Sequence, residues 1–171
     1  MYTMVTVKIE NDKVVSFYID ALQSKKNEAG TNYDWNAKTK KELGYLYGMH
    51  NVNNADAGYE RQDLSTEEGL AAYQAYLAEF GKKEWFEQAN ILEQYILENG
   101  VEAIEFDGTK PTNVAGVTVS AKDYVELAKK AIQNAKDGKL LAVTGYQDDI
   151  IWATATIDKD GIVSNYLIDV L

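Results

Sequence analysis

Apolar and polar positions alternate from the start of the chain. Val5, Val7 and Ile9 fall on one side and Thr6 and Lys8 on the other. Asn11-Asp12 interrupts the run, and Val14-Val15-Ser16-Phe17-Tyr18-Ile19 resumes it. Period-two patterning on both sides of such a turn predicts a β-hairpin. Between residues 23 and 64 the pattern weakens, and Asn-rich stretches such as Asn51-Val52-Asn53-Asn54 read as loop. A short helix is expected from about Ala37 to Leu43, stopped by Gly44. The period then changes to 3.6. Leu70, Tyr73, Leu77 and Phe80 follow Ser65-Thr66-Glu67-Glu68, a capping box in which Ser65 accepts from helix amides and Glu68 reaches back. Gly81 ends that helix. A second runs from about Lys83 to Glu98 with Trp85, Ala89, Leu92 and Ile96 as its stripe, closed by Asn99-Gly100. The two are expected to form a helical hairpin lying on the sheet. A third, about Ala121 to Lys136, carries Tyr124, Leu127, Ala128, Ala131, Ile132 and Ala135 on one face and stops at Asp137-Gly138.

From Leu140 to Leu171 the chain is strand-like again, with Asp158-Lys159-Asp160-Gly161 as a hairpin turn. This tail holds an internal echo: TVKIENDKVVSFYIDAL at 6–22 is similar to TATIDKDGIVSNYLIDVL at 154–171, with one residue inserted. An isolated hairpin is marginal in water, so the favoured reading joins the two hairpins in one sheet. The alternative is that the second hairpin opens a further repeat. The expected fold is therefore α+β, an antiparallel sheet from the N- and C-terminal hairpins packed against three to four helices. Residues 1–138 form one domain, and residues 139–171 a hairpin that completes the sheet or starts a second repeat.

Composition narrows the function classes. A chain of 171 residues, 46% hydrophobic, suits one domain with an ordinary core. A formal charge of −10 disfavours nucleic acid and anionic membrane surfaces. The absence of cysteine removes disulfides, thiol catalysis and thiolate metal sites. No apolar run approaches the roughly 20 residues of a membrane helix. The chain opens directly on a strand, so export would rest on a signal and a lipid-anchor cysteine lying outside it. His50 is the single histidine, which removes His clusters for zinc or haem, and it reads as a loop residue. Asp148-Asp149 and the 158–161 turn have the chemistry of calcium ligands, but neither fits an EF-hand loop. No phosphate loop, GxGxxG or GxSxG is present, and no spacing among the 27 acids singles out a hydrolytic pair.

The stretch TNVAGVTVSAKDYVELAKKAI, residues 112–132, runs from a loop into the third helix. Gly116 permits close approach of backbone to a ligand, Thr118 offers a hydroxyl, and Ser120 stands where a capping residue belongs. A helix N-terminus suits a phosphate. On spacing alone the simplest reading is that Thr118 and Ser120 cap a helix and nothing binds.

Residues 112–118 resemble the flavinylation motif of FMN-binding domains: Asp, two free positions, Ser/Thr or Ala, Gly, Ala, Thr/Ser. Ala115, Gly116 and Thr118 match it. Thr112 stands where the family has its acid, and Val117 where it has alanine. The domain occurs in a component of the sodium-pumping NADH:quinone oxidoreductase and in surface lipoproteins of Gram-positive bacteria. The opening hairpin, NAKTKKELGYLYGMHN, GKKEWFEQANILEQYILENG and AKDYVELAKKAIQNAK are similar to the lipoprotein branch in the same order, over roughly residues 4–137. The resemblance implies an extracellular, cell-surface lipoprotein domain that relays electrons and has no substrate of its own. It also implies that a flavin transferase joins FMN to Thr118 as a phosphodiester, with Gly116 and Val117 shaping the phosphate loop and Ser120 capping the helix beside it. A membrane quinone-linked oxidoreductase would be the donor and a terminal acceptor would lie downstream. Flat apolar walls for the flavin ring would come from Trp35, Tyr45, Tyr47, Met49 and Trp85. Trp85 equally suits core packing in its helical stripe. Flavin on Thr118, FMN held without a bond, and a flavin-free surface module of the same fold remain the three open states.

Overall fold

The N-terminal hairpin forms as patterned. In the computed structural model, which describes residues 1–171 apart from 147 and 148, β1 (Tyr2–Glu10) pairs antiparallel with β2 (Lys13–Leu22). Asn11 and Asp12 turn between them at φ 50° and 61°. Two consecutive positive φ values make a turn whose twist matches the strands. Val5 faces Ile19 and Val7 faces Phe17 across the ladder, so one face of the hairpin is apolar. Two short ribbons follow the same antiparallel rule: β3 (Ser24–Lys26) with β4 (Tyr33–Trp35), and β5 (Phe106–Asp107) with β6 (Lys110–Pro111).

Four helices complete the α+β fold. Thr39 caps α1 (Lys40–Leu43) in a reciprocal box with Glu42, and Gly44 ends it at φ 54°. α2 spans Glu67–Glu79, α3 Trp85–Asn99 and α4 Lys122–Lys136. The cap of α2 is Thr66, which accepts from the Gly69 amide, in place of the expected Ser65. Ser65 is instead turned back onto the Asp63 carboxylate through both its amide and its hydroxyl. Phe80, expected in the α2 stripe, lies past the last helical residue and is exposed.

The main core lies between the hairpin and α3 and α4. Phe17, Ile19 and Ala21 meet Trp85, Ala89, Leu92 and Ile96 of α3 and Tyr124, Val125 and Ala128 of α4. The helical hairpin expected on the sheet does not form as a unit, because α2 packs elsewhere. Its Tyr73, Tyr76 and Leu77 gather with Tyr59 in a second cluster against the 45–64 segment, where Tyr59 stacks on Tyr76 at 3.8 Å.

The tail is a meander of three strands: β7 (Lys139–Tyr146), β8 (Asp149–Ile157) and β9 (Val163–Val170). These pair only with one another, so the expected single sheet joining the two terminal hairpins is not formed. The reason is at Gly138. It turns α4 straight into β7 at φ 69°, and Ile157 donates to its carbonyl at 2.7 Å. A Cβ there would collide with the Ile157 carbonyl oxygen, so β8 is bound to the end of α4. Asp148 of the considered calcium pair lies outside the described residues. Among the described residues no helix is long and apolar enough to cross a membrane.

Candidate functional site

The loop from Thr112 to Ser120 is held at both ends and in the middle. Asn113 donates to the Ala103 carbonyl at 2.8 Å and accepts from the Glu105 amide at 3.0 Å. Val117 donates to the Val114 carbonyl, closing a tight turn, and Val114 and Val117 point into the core at 4% and 5% exposure. Gly116 has φ 85°, a backbone conformation that residues with a side chain rarely adopt. A Cβ at that position would lie 3.1 Å from Ile91 Cδ1 and 3.3 Å from Lys83 Cε, so α3 and the lysine stem lie directly against the loop. Ala115 lines a groove of about 480 Å³ with Ile91, Tyr95 and Val114.

The central fixture is Gln88, which is 1% exposed. Its side-chain carbonyl accepts the amides of Thr118 at 2.7 Å and Val119 at 3.1 Å, and the Thr118 hydroxyl at 3.3 Å. Its amide group donates to the Lys83 carbonyl at 2.8 Å and touches Met49 Sδ at 3.8 Å. One side chain therefore ties the Thr118 loop, the start of α3 and the 45–51 segment together. Gln88 carried no motif, yet it stands three residues after Trp85 and four before Leu92, on the apolar stripe of α3. A polar residue on that stripe is the signal by which the sequence marks it.

Glu84 performs a parallel task and is fully buried. Its carboxylate accepts the Met49 amide at 2.8 Å, the Trp85 amide at 2.9 Å and the Tyr73 hydroxyl. That hydroxyl also accepts the His50 amide at 3.1 Å. Burial and the bond to Glu84 hold the Tyr73 phenol far above its ordinary range. His50 is a loop residue, its ring Nε2 lying 3.2 Å from the Lys83 carbonyl.

The expected ring walls divide around α3. Met49 reaches the Thr118 loop through Gln88. Trp85 is 4% exposed and packs on Tyr124, so its core reading holds. Tyr47 is half-buried and faces Trp85 across the Lys40 ammonium, which lies 4.8 Å from the Tyr47 ring centre and 5.1 Å from that of Trp85. The Tyr47 hydroxyl donates to Gln23 at 3.0 Å. Burial, then the charge of Glu84, raises its pKa. Tyr45 stands apart, edge-on to Phe86 at 5.1 Å. Trp35 lies on β4, opposite Ser24.

Ser120 does not cap α4 as expected. The cap position is Ala121, without a side-chain bond, and the Thr109 carbonyl accepts the Ala121 and Lys122 amides. Ser120 accepts instead from the Thr109 hydroxyl at 2.9 Å. The short β5–β6 ribbon thus takes the bonds that a phosphate would have needed from those two amides. At Thr118 the residues do fit a phosphodiester. Thr118 is an exposed residue, two amide bonds fix the loop independently of its hydroxyl, and Lys83 lies beside Gly116. No family model, curated protein or solved structure matches this chain.

Proposed function

We propose that this chain is an electron-transfer domain that carries FMN, attached as a phosphodiester to Thr118. The observation that supports this best is the clamp at Gln88: it fixes the Thr118 and Val119 backbone through their amides, while Thr118 is an exposed residue whose hydroxyl makes only the longest of the three contacts. An attachment residue needs that separation. The transferase moves the FMN phosphoryl group from a flavin dinucleotide: the Oγ–P bond forms as the donor's pyrophosphate bond breaks, the nucleoside monophosphate leaves and the hydroxyl proton is lost, and the loop must keep its place afterwards. Gly116 supplies the turn and Lys83 a cation for the phosphate. The bound flavin would supply the redox chemistry, and Tyr47 and Met49 would line its ring. On this reading the chain is a carrier at the cell surface. A flavin transferase loads it, a membrane quinone-linked oxidoreductase reduces it, and a downstream acceptor drains it.

A second reading, a flavin-free surface module of the same fold, is favoured by Thr112 in place of the motif's acid and by Val117 committed to the core. Intact mass after co-expression with a flavin transferase separates the two. One added FMN-derived unit that disappears in Thr118→Ala supports the carrier. An unmodified mass, with the transferase active on another target, ends the covalent attachment. Yellow colour in the purified protein then distinguishes FMN held without a bond from the bare module.

A further inference from the structure

The tail repeats more of the first hairpin than its sequence. In an antiparallel ladder, alternate residues of an outer strand turn both main-chain groups away from the partner strand. In β2 these include Ile19 and Ala21, and both amides are satisfied. Ala21 donates to the Asp20 carboxylate at 2.8 Å, and Ile19 donates to Glu93 of α3 at 2.6 Å. The same register positions in β9 are Ile168 and Val170, which stand opposite Ala153 and Ile151 as Ile19 and Ala21 stand opposite Val5 and Thr3. Leu171 exchanges both main-chain bonds with Ile150, so Val170 and Ile168 turn outward. Val170 donates to the Asp169 carboxylate at 2.8 Å, as Ala21 does to Asp20. The Ile168 amide lacks its Glu93: among the described residues no side chain accepts it. The side chains of Ile168 and Val170 are exposed, where those of Ile19 and Ala21 lie under helices. Most of the exposed large apolar side chains among the described residues fall between Leu140 and Leu171.

We propose that the β9 edge and its apolar face dock an amphipathic helix of a partner protein, in the way that α3 covers β2. The bonds at β2 define the chemistry of that helix. An apolar stripe covers Ile168 and Val170, and a carboxylate on the stripe accepts the Ile168 amide. At the β2 edge two carboxylates, Asp20 and Glu93, are joined by Lys41, whose ammonium lies 2.5 Å from Glu93 and whose amide lies 3.1 Å from Asp20. Asp169 sets the same requirement at β9, so the partner helix carries a basic side chain within one turn of its carboxylate. A second copy adding its own β9 fits less well, because Asp169 already holds the Val170 amide that such a ladder would use.

The probe is a peptide of residues 83–100, the segment around α3, stapled into a helix through its exposed positions 90 and 94. It carries Leu97→Lys, which sets a cation one turn from Glu93. The peptide is titrated into the isotope-labelled full chain, and amide shifts are read by NMR. Saturable binding should move the amides of β8 and β9, that of Ile168 furthest. The Glu93→Gln peptide should bind about tenfold more weakly, because a neutral acceptor replaces a charged one. Ile168→Asp in the full chain should abolish binding, and Val52→Asp, at an exposed loop position, should leave it unchanged. Where Ile168→Asp loses its fold, Ile168→Ala is read in its place and should weaken binding. Absence of saturable binding, shifts centred on β2, or equal affinity of the Glu93→Gln peptide overturns the proposal. A dimer in light scattering that Ile168→Asp dissolves assigns the surface to a second copy and overturns it as well.

Discussion

Gln88 does for the Thr118 loop what a backbone strand does elsewhere: it accepts two main-chain amides from a segment with no ladder of its own. Replacing it with leucine keeps the volume but leaves both amides unpaired. Each buried donor without a partner costs roughly 1–3 kcal/mol, so Gln88→Leu should lose about 3 kcal/mol in urea unfolding. Thr118→Ala should lose under about 0.5 kcal/mol, because its hydroxyl contact is the longest of the three and the amide bond remains. That contrast separates the residue that builds the loop from the one that would carry a ligand. Gly116→Ala forces a side chain into φ 85° against Ile91, which should cost about 1–2 kcal/mol in the same measurement.

Among the α-helices, α1 is the shortest. β2 pairs only with β1, so the far edge of β2 needs other acceptors. Glu93 of α3 accepts the Ile19 amide at 2.6 Å and the Lys41 ammonium at 2.5 Å, joining strand edge, α1 and α3 at one carboxylate. Glu93→Ala should cost about 3–5 kcal/mol by chemical denaturation, since it strands both a buried cation and a strand amide. The tyrosines of these elements add a pH signature. The Tyr18 phenol is pushed up to about 12 by burial and its bond to Asp20, and Tyr45, Tyr47, Tyr59, Tyr73 and Tyr124 are also raised, chiefly by burial. An unfolded chain loses phenolic protons near 10.0 while these folded groups keep theirs, so the unfolded state binds fewer protons and stability falls above pH 10. Burial moves Lys40 the opposite way, below 10.5, and opposes that fall. The thermal midpoint should hold to about pH 9 and drop beyond pH 10, more steeply in Lys40→Met.

At the scale of the whole molecule the two sheets differ in what covers them. The first hairpin puts Ile19 and Ala21 under α3 and α4, whereas their counterparts in its echo, Ile168 and Val170, are exposed at 76% and 54%. β9 is also an edge strand, so its amides have one protected side at most. Hydrogen exchange should therefore proceed first through β9 and last through β2, and equal protection in the two would show that the sheets are not independent. Because, among the described residues, β7–β9 contribute only Ile150 to the buried apolar set, a chain ending after Gly138 should still unfold cooperatively by circular dichroism.

Local pattern was enough to determine the helices, the hairpin turns and the α+β class. Capping residues, glycine stops and a 3.6 or 2.0 period act within a few residues, and α2, α3 and α4 begin and end within about two residues of where that pattern places them. The period also marks which face of an element is apolar, but it says nothing of what the face meets. Tertiary structure decided that α2 joins a tyrosine cluster, that the two hairpins lie in separate sheets, and that Val117 and Trp85 belong to the core. It also decided the surroundings of Gln88 and of Lys40. Gln88 reaches Thr118 thirty positions away, and Lys40, in the short helix read in AKTKKELG, is buried against the rings of Tyr47 and Trp85. Both are set by contacts between segments distant in sequence, and a burial created by such a contact leaves no trace in the periodicity of either segment.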